Sequence, residues 1–214
     1  MKEDILEQIV EDFYASQKGW FVKHNVKYRP SIDDPDYISN KDSVHSDIDI
    51  IAYNPTAEKN NKVVVVSCKS WQSGFNIGKD IEYLESTAEY NKLSTEFIPR
   101  EKWKTFRELV SQKWLRSFSK KIKDETGSTH FTYIIAVTKI SGKLPEENKV
   151  RLESSEIIKN RFKKYGFDVK IRILTLEEML KDINKRLEEK QTPALESTNL
   201  GRLLQLMKAA NLKL

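Results

Sequence analysis

Two carboxylates and an ammonium close adjacent apolar runs: Asp47 and Asp49 in S-D-I-D-I-I-A-Y (46–53), and Lys69 at the end of V-V-V-V-S-C-K (63–69). Carboxylates that hold a hard dication offset the charge that builds on a phosphodiester under attack, and the dication lowers the pKa of its bound water. A nearby ammonium orients or stabilises the attacking hydroxide. These residue types therefore suit metal-assisted phosphodiester hydrolysis. Both runs read as strands, in which residues two apart share a face. Val63, Val65, Ser67 and Lys69 are expected on one face, and Val64, Val66 and Cys68 on the other. On the first strand Asp47, Asp49 and Ile51 are expected opposite Ile48, Ile50 and Ala52. The segment 54–61 carries the Asn and Pro of a turn, which predicts a hairpin connection.

This layout, an acid-x-Asp strand followed by a strand ending in lysine, resembles the PD-(D/E)XK nuclease superfamily. The resemblance is at motif level over residues 1–95 and architectural over 130–190. It implies a Mg²⁺-dependent endodeoxyribonuclease of restriction or defence type, with Mn²⁺ as an alternative ion and DNA as the partner. Asp49 would be a metal ligand and Lys69 the catalytic ammonium. Asp47 competes for the ligand role, but the second acid of the family's acid-x-Asp pattern is the usual one. One position departs from the pattern: two residues before the lysine the family carries Asp or Glu, and here stands Ser67. Either the carboxylate enters from elsewhere or the site is inert. Some restriction endonucleases of this kind carry Ser there and supply a Glu from the following helix. Glu82, thirteen residues after Lys69, matches that placement as a catalytic and metal-binding carboxylate, with Glu85 next. The segment 79–90 has helical spacing that puts Glu82, Glu85 and Glu89 on one face, and a solvated acidic face is the plainer reading of it. The first helix of many members also offers a Glu to the metal. Glu7 is the better match here and Glu11 the next, each otherwise an ordinary exposed helix residue.

Other elements must position these groups. Ile5, Leu6, Ile9, Val10 and Phe13 have helical spacing, and Gly19 suits the stop. A strand starts at Trp20. Further on, 131–140 reads as a buried strand, 145–165 as a helix closed by Gly166, and 169–174 as a strand. A helix follows to about Lys190, with Thr175 a candidate N-cap. The order predicts an α/β fold with a restriction-endonuclease-like mixed central sheet flanked by helices. Residues 1–190 form the expected nuclease-like domain, and 191–214 a linker and C-terminal helix. The stripe Leu200, Leu203, Leu204, Leu206 and Met207 is expected to dock on its own domain or on a second copy. The segment 27–46 is polar, broken by Pro30 and Pro35, and reads either as disordered or as a reach toward a DNA groove.

The 214 residues, 32% of them charged, carry a formal net charge of +5. From Arg100 to Lys123 nine basic residues face only Glu101 and Glu108. Lysine and arginine on phosphates supply most non-specific affinity for nucleic acid, so Lys104, Arg107, Lys113, Arg116, Lys120 and Lys121 are candidate DNA contacts. The interleaved Trp103, Phe106, Trp114 and Phe118 read as core rather than as base-stacking groups. The lone Cys68 cannot form an internal disulfide, which suits a reducing, cytoplasmic setting, and no apolar run reaches membrane length. His24, His45 and His130 form no ligand triplet, and no phosphate-cradling glycine loop is seen. One such site cuts one strand, so a homodimer on DNA is expected. Two other readings stand beside the DNA endonuclease: an inactive nuclease-like domain that binds DNA or a partner, and a nuclease acting on RNA.

Overall fold

The computed structural model describes residues 4–87, 90, 105–188 and 198–212. Among them, five strands make one mixed sheet in chain order: β1 (Phe21–Tyr28), β2 (Ser46–Tyr53), β3 (Val63–Lys69), β4 (His130–Val137) and β5 (Asp168–Thr175). β1, β2 and β3 pair antiparallel, and β3, β4 and β5 pair parallel. Parallel neighbours need crossovers, and helices supply them. Between β3 and β4 run α3 (Ile77–Glu85), the single turn α4 (Arg107–Val110) and α5 (Gln112–Thr126). Between β4 and β5 run α6 (Pro145–Ser154) and α7 (Glu156–Lys163).

Helices cover both faces. On one side Ile81 and Leu84 of α3, Leu109 and Val110 of α4, Trp114, Leu115, Phe118 and Ile122 of α5 and Phe162 of α7 pack on Val63, Val65, Tyr133 and Ile135. On the other, Leu6, Val10 and Tyr14 of α1 (Ile5–Ala15) and Met179 of α8 (Leu176–Glu188) pack on Ile50, Ala52, Val64, Val66 and Ile134. A strand covered on both faces loses the hydrophobic-polar alternation, which explains the unbroken valine run of β3. The expected α/β class with a helix-flanked mixed sheet is thus present.

Several expected elements take a different form. The run 145–165 is two helices, because Ser155 leaves the helical region (φ −56°, ψ 102°) and its hydroxyl caps α7 by accepting from Ile158 N. The helix expected over 79–90 ends at Glu85, where Ser86 turns extended. Glu89 lies outside the described residues, as do Lys104, Trp103 and the linker 191–194. Thr175 does cap α8: its hydroxyl accepts from Glu178 N at 3.2 Å while the Glu178 carboxylate accepts from Thr175 N at 2.7 Å, a reciprocal capping box.

The segment between β1 and β2 is tied down by charge. Arg116 holds Asp34 at 2.6 Å and Asp36 at 2.9 Å, and Lys113 holds Asp42 at 2.5 Å, at the end of the short helix α2 (Ser39–Asp42). The C-terminal helix α9 (Asn199–Ala209) docks on its own chain: Leu204, with Leu200 and Met207, packs on Ile183, Leu180 and Phe13.

Candidate active site

Asp49 and Lys69 are brought together where β2 separates from β3. The β2–β3 ladder ends at the pair Ile50–Val66, one residue short of Asp49. Asp49 Oδ2 instead accepts the Cys68 backbone N–H at 2.6 Å, so a side chain replaces the next rung. On the other flank β1 and β2 pair at His24–Ile50 and at Val26–Ile48 but not across Asp49, opposite which Asn25 sits at φ 53°. β2 turns over at this point. Ile48 consequently joins the same core as Ile51, not that of Ile50 and Ala52, which corrects the strict alternation expected for this strand. β3 keeps its expected faces, and Lys69 Nζ donates to Ser67 Oγ at 2.8 Å. The Lys69 ammonium also lies 5.7 Å from the centroid of the Phe106 ring.

Glu7 is added by α1. Asp4 caps that helix, accepting from Leu6 N, and its second oxygen accepts from the Ser70 hydroxyl at 2.5 Å. The start of α1 is thereby fastened to the residue that follows Lys69, one turn from Glu7. Burial first, then the charge of Asp49, with Asp4 and Asp47 adding and Lys69 opposing, pushes the Glu7 carboxyl up to about 7. Asp49 is also raised, mainly by burial, against the pull of Lys69 and the Cys68 N–H. Asp47 is exposed, so Asp49 is the more enclosed of the pair. The Cys68 thiol is buried and held far toward its neutral form by that burial and by Asp49, so it is no nucleophile.

Glu108, in the sequence only an acid within a basic run, lies near enough to act on Asp49 by its charge. It is 6% exposed. Tyr133 donates to its Oε1 at 2.5 Å, and the Ser67 side chain also acts on the Tyr133 hydroxyl. Lys69 is thus bonded to Ser67, and Tyr133 to Glu108. The charge of Glu108 reaches Asp49, Tyr28 and Tyr133. The signal that could have marked it is its neighbourhood: Phe106, Leu109 and Val110 form an apolar turn that drags the intervening acid inward.

Glu82, by contrast, is exposed on α3 and makes no hydrogen bond or ion pair among the described residues, and it is not among the charges acting most strongly on Asp49 or Glu7. The Glu85 carboxylate is taken by Arg151 at 2.8 Å and Ser155 at 2.7 Å. Glu11 pairs with His24.

The candidate DNA contacts divide. Lys113 is 3% exposed, its ammonium shared by Asp42 and the Asp36 carbonyl. It is a structural cation, which corrects its reading as a DNA contact. Arg116 is committed to Asp34 and Asp36, and Arg107 lies 4.4 Å over the Trp114 ring. Lys121 pairs with Glu125, while Lys120 is exposed. Arg29, Arg116, Lys120 and Lys121 line one groove together with Asp34 and Asp124.

Among the described residues no three His, Cys, Asp or Glu side chains are grouped closely enough to hold a metal ion by themselves. Mg²⁺ seldom needs that, being held through one or two carboxylates with waters and substrate phosphate completing its shell. The donor chemistry here suits a hard ion: the carboxylates of Glu7 and Asp49 act on one another, with Lys69 opposing. No helix among the described residues is long and apolar enough to cross a membrane. Comparison of the chain with protein-family models, curated proteins and solved structures finds no match.

Proposed function

We propose that this chain is a divalent-metal-dependent DNA endonuclease of the PD-(D/E)XK, restriction-endonuclease-like type, using Mg²⁺ or Mn²⁺. The observation that carries the reading is the parting of β2 and β3 at Asp49, which ties Asp49 to the backbone next to Lys69, with the start of the helix that bears Glu7 fastened to Ser70. Asp49 and Glu7 would hold the ion. When bound, the ion supplies a water of lowered pKa and offsets charge on the phosphate. Lys69 places an ammonium where an attacking hydroxide needs orientation, and the Ser67 hydroxyl fixes that ammonium by accepting a hydrogen bond from it at 2.8 Å. Cys68 N–H holds the Asp49 carboxylate in one orientation. The groove bearing Arg29, Lys120 and Lys121 gives phosphates a cationic wall, and two copies on one duplex would cut both strands.

The test is cleavage of a mixed plasmid, phage DNA and RNA panel with and without each ion. Wild type is expected to cut duplex DNA only with Mg²⁺ or Mn²⁺, and Lys69→Ala to lose at least about 100-fold, the scale of one removed electrostatic stabiliser. Equal activity of wild type and Lys69→Ala on every substrate removes the reading. Ser67 itself favours a second reading, an inert nuclease-like binding domain: with a hydroxyl where a carboxylate is expected, ion-dependent cleavage would be absent while DNA binding persists.

A further inference from the structure

We propose that the cleft between α3 and the turn after β3 takes one unpaired nucleobase of the DNA, stacked on Trp71 and Tyr83. The choice of DNA, and of the phosphate beside the base, rests on the Asp49/Lys69 reading; the cleft itself does not. It has a volume of about 400 Å³ and is lined by Trp71, Tyr83 and Phe106 together with Lys79, Asp80 and Thr105. Phe106 joins it to the candidate active site: the Lys69 ammonium lies 5.7 Å from the centroid of this ring, which also lines the cleft. Cleft and ammonium therefore share a wall, and a sugar is long enough to carry a base in the one from a phosphate at the other. In a duplex such a base has to leave the stack, which costs least at a mismatch or on a strand already single.

The lining matches the chemistry of a base. Every base has flat faces and a polar edge, so its site needs rings and a few polar groups. Trp71 and Tyr83 supply rings that are only half-buried, whereas Phe75 and Phe106, on which Trp71 rests at 5.6 and 6.2 Å between centroids, are closed in the core. Lys79, Asp80 and Thr105 supply the polar groups, and the exposed Lys79 is a cation for an adjoining phosphate. The platform is built in advance. Trp71 sits in a turn closed by the Gly74 N–H on the Trp71 carbonyl at 3.0 Å. That turn is pinned to the segment after β4 by the Phe75 N–H on the Lys139 carbonyl and the Ser141 N–H on the Phe75 carbonyl. Gly74 has φ +83°, and a Cβ there would meet the Lys139 carbonyl oxygen at 2.9 Å, so the turn calls for glycine. α3 opens next, its Asn76 cap accepting from Lys79 N, and sets Lys79 and Tyr83 one turn apart on the same face. A ring fixed before binding loses little freedom when a base stacks on it.

A short single-stranded DNA bearing one 2-aminopurine between abasic positions tests this, with EDTA present so that nothing is cut. Without stacked neighbours the fluorophore is bright, and stacking on Trp71 and Tyr83 should quench it when wild type binds. A strand with the same phosphates and no base at all should bind about tenfold more weakly, the scale of one base on an aromatic ring. Trp71→Ala should bind the two strands equally. Trp71→Phe keeps a ring on the turn and should regain most of the preference, which separates lost stacking from lost folding. Lys79→Ala should weaken both strands alike. Binding of wild type without quenching, its equal affinity for the two strands, a preference that survives Trp71→Ala, or no binding of either strand overturns the proposal. Cleavage assays on duplex DNA with Mg²⁺ separate the two claims. Quenching and base preference without cleavage keep the base site and remove the nuclease reading. Cleavage that Lys69→Ala abolishes, with no quenching by wild type, does the reverse.

Discussion

Glu7 shows how the site's chemistry can be read from a single proton. Its position in the first turn of α1 should favour the charged form. Burial and the neighbouring carboxylates outweigh that and lift the group from 4.5 to about 7. With the folded pKa above the unfolded one, the native state binds more protons through that window, so stability falls as pH rises. The Glu7 contribution is fully present below about 4.5 and gone above about 7. Without divalent ions, the melting temperature of Glu7→Gln should equal that of wild type near pH 4.5, exceed it progressively up to about 7, and keep a constant margin above. A margin that does not vary with pH would show that Glu7 is not enclosed among these acids. Asp49 and Lys69 were legible because strand alternation and a terminal lysine are written in sequence order. Glu108 was not: its meaning comes from Tyr133, twenty-five residues away, and a lone glutamate in a basic stretch carries no mark of the phenol it will meet.

The element that most changes its meaning on folding is α5. Its sequence shows a basic helix with aromatic residues interleaved. The aromatics do enter the core, Trp114 and Phe118 being buried. The cations were harder to read, because their partners lie in the β1–β2 connection: Asp34, Asp36 and Asp42 are more than seventy residues away from Lys113 and Arg116. That connection was left open between disorder and groove-reaching, since neither its prolines nor its polarity reveals a buried ion pair. Removing one member of such a pair leaves a buried charge unpaired and costs about 3–5 kcal/mol. Lys113→Ala should therefore lower the unfolding free energy measured in urea by about 3–5 kcal/mol, while Lys120→Ala should leave stability within about 0.5 kcal/mol. If Lys113→Ala instead weakens DNA binding with stability intact, the helix presents that lysine outward. The break of 145–165 at Ser155 is of the same kind: the residue is an ordinary helix member by periodicity, and its hydroxyl finds a partner seventy residues away, donating to Glu85.

At the scale of the whole molecule, the order of the strands was legible because apolar runs and turn residues alternate cleanly along the chain. The destination of the C-terminal stripe was not, since an apolar helix face names no partner. The fold gives it two sides. Leu204 is 4% exposed against Ile183, whereas Leu203 and Leu206 are 53% and 68% exposed. The inner side caps this chain's own core, and the outer side is the part of α9 open to a second copy. These roles predict separable outcomes. Leu204→Ala should cost about 2–5 kcal/mol in denaturant unfolding, as truncation of a buried leucine does. Leu203→Glu with Leu206→Glu should leave unfolding nearly unchanged, because neither side chain loses a packed environment. Light scattering on DNA then decides the assembly: a wild-type dimer that becomes a monomer in the Leu203→Glu, Leu206→Glu variant assigns the seam to α9. A wild type that stays monomeric on DNA, or a double variant that dimerises as before, removes the tail from the assembly and leaves α9 as a cap, with any second cut then supplied by a separate binding event.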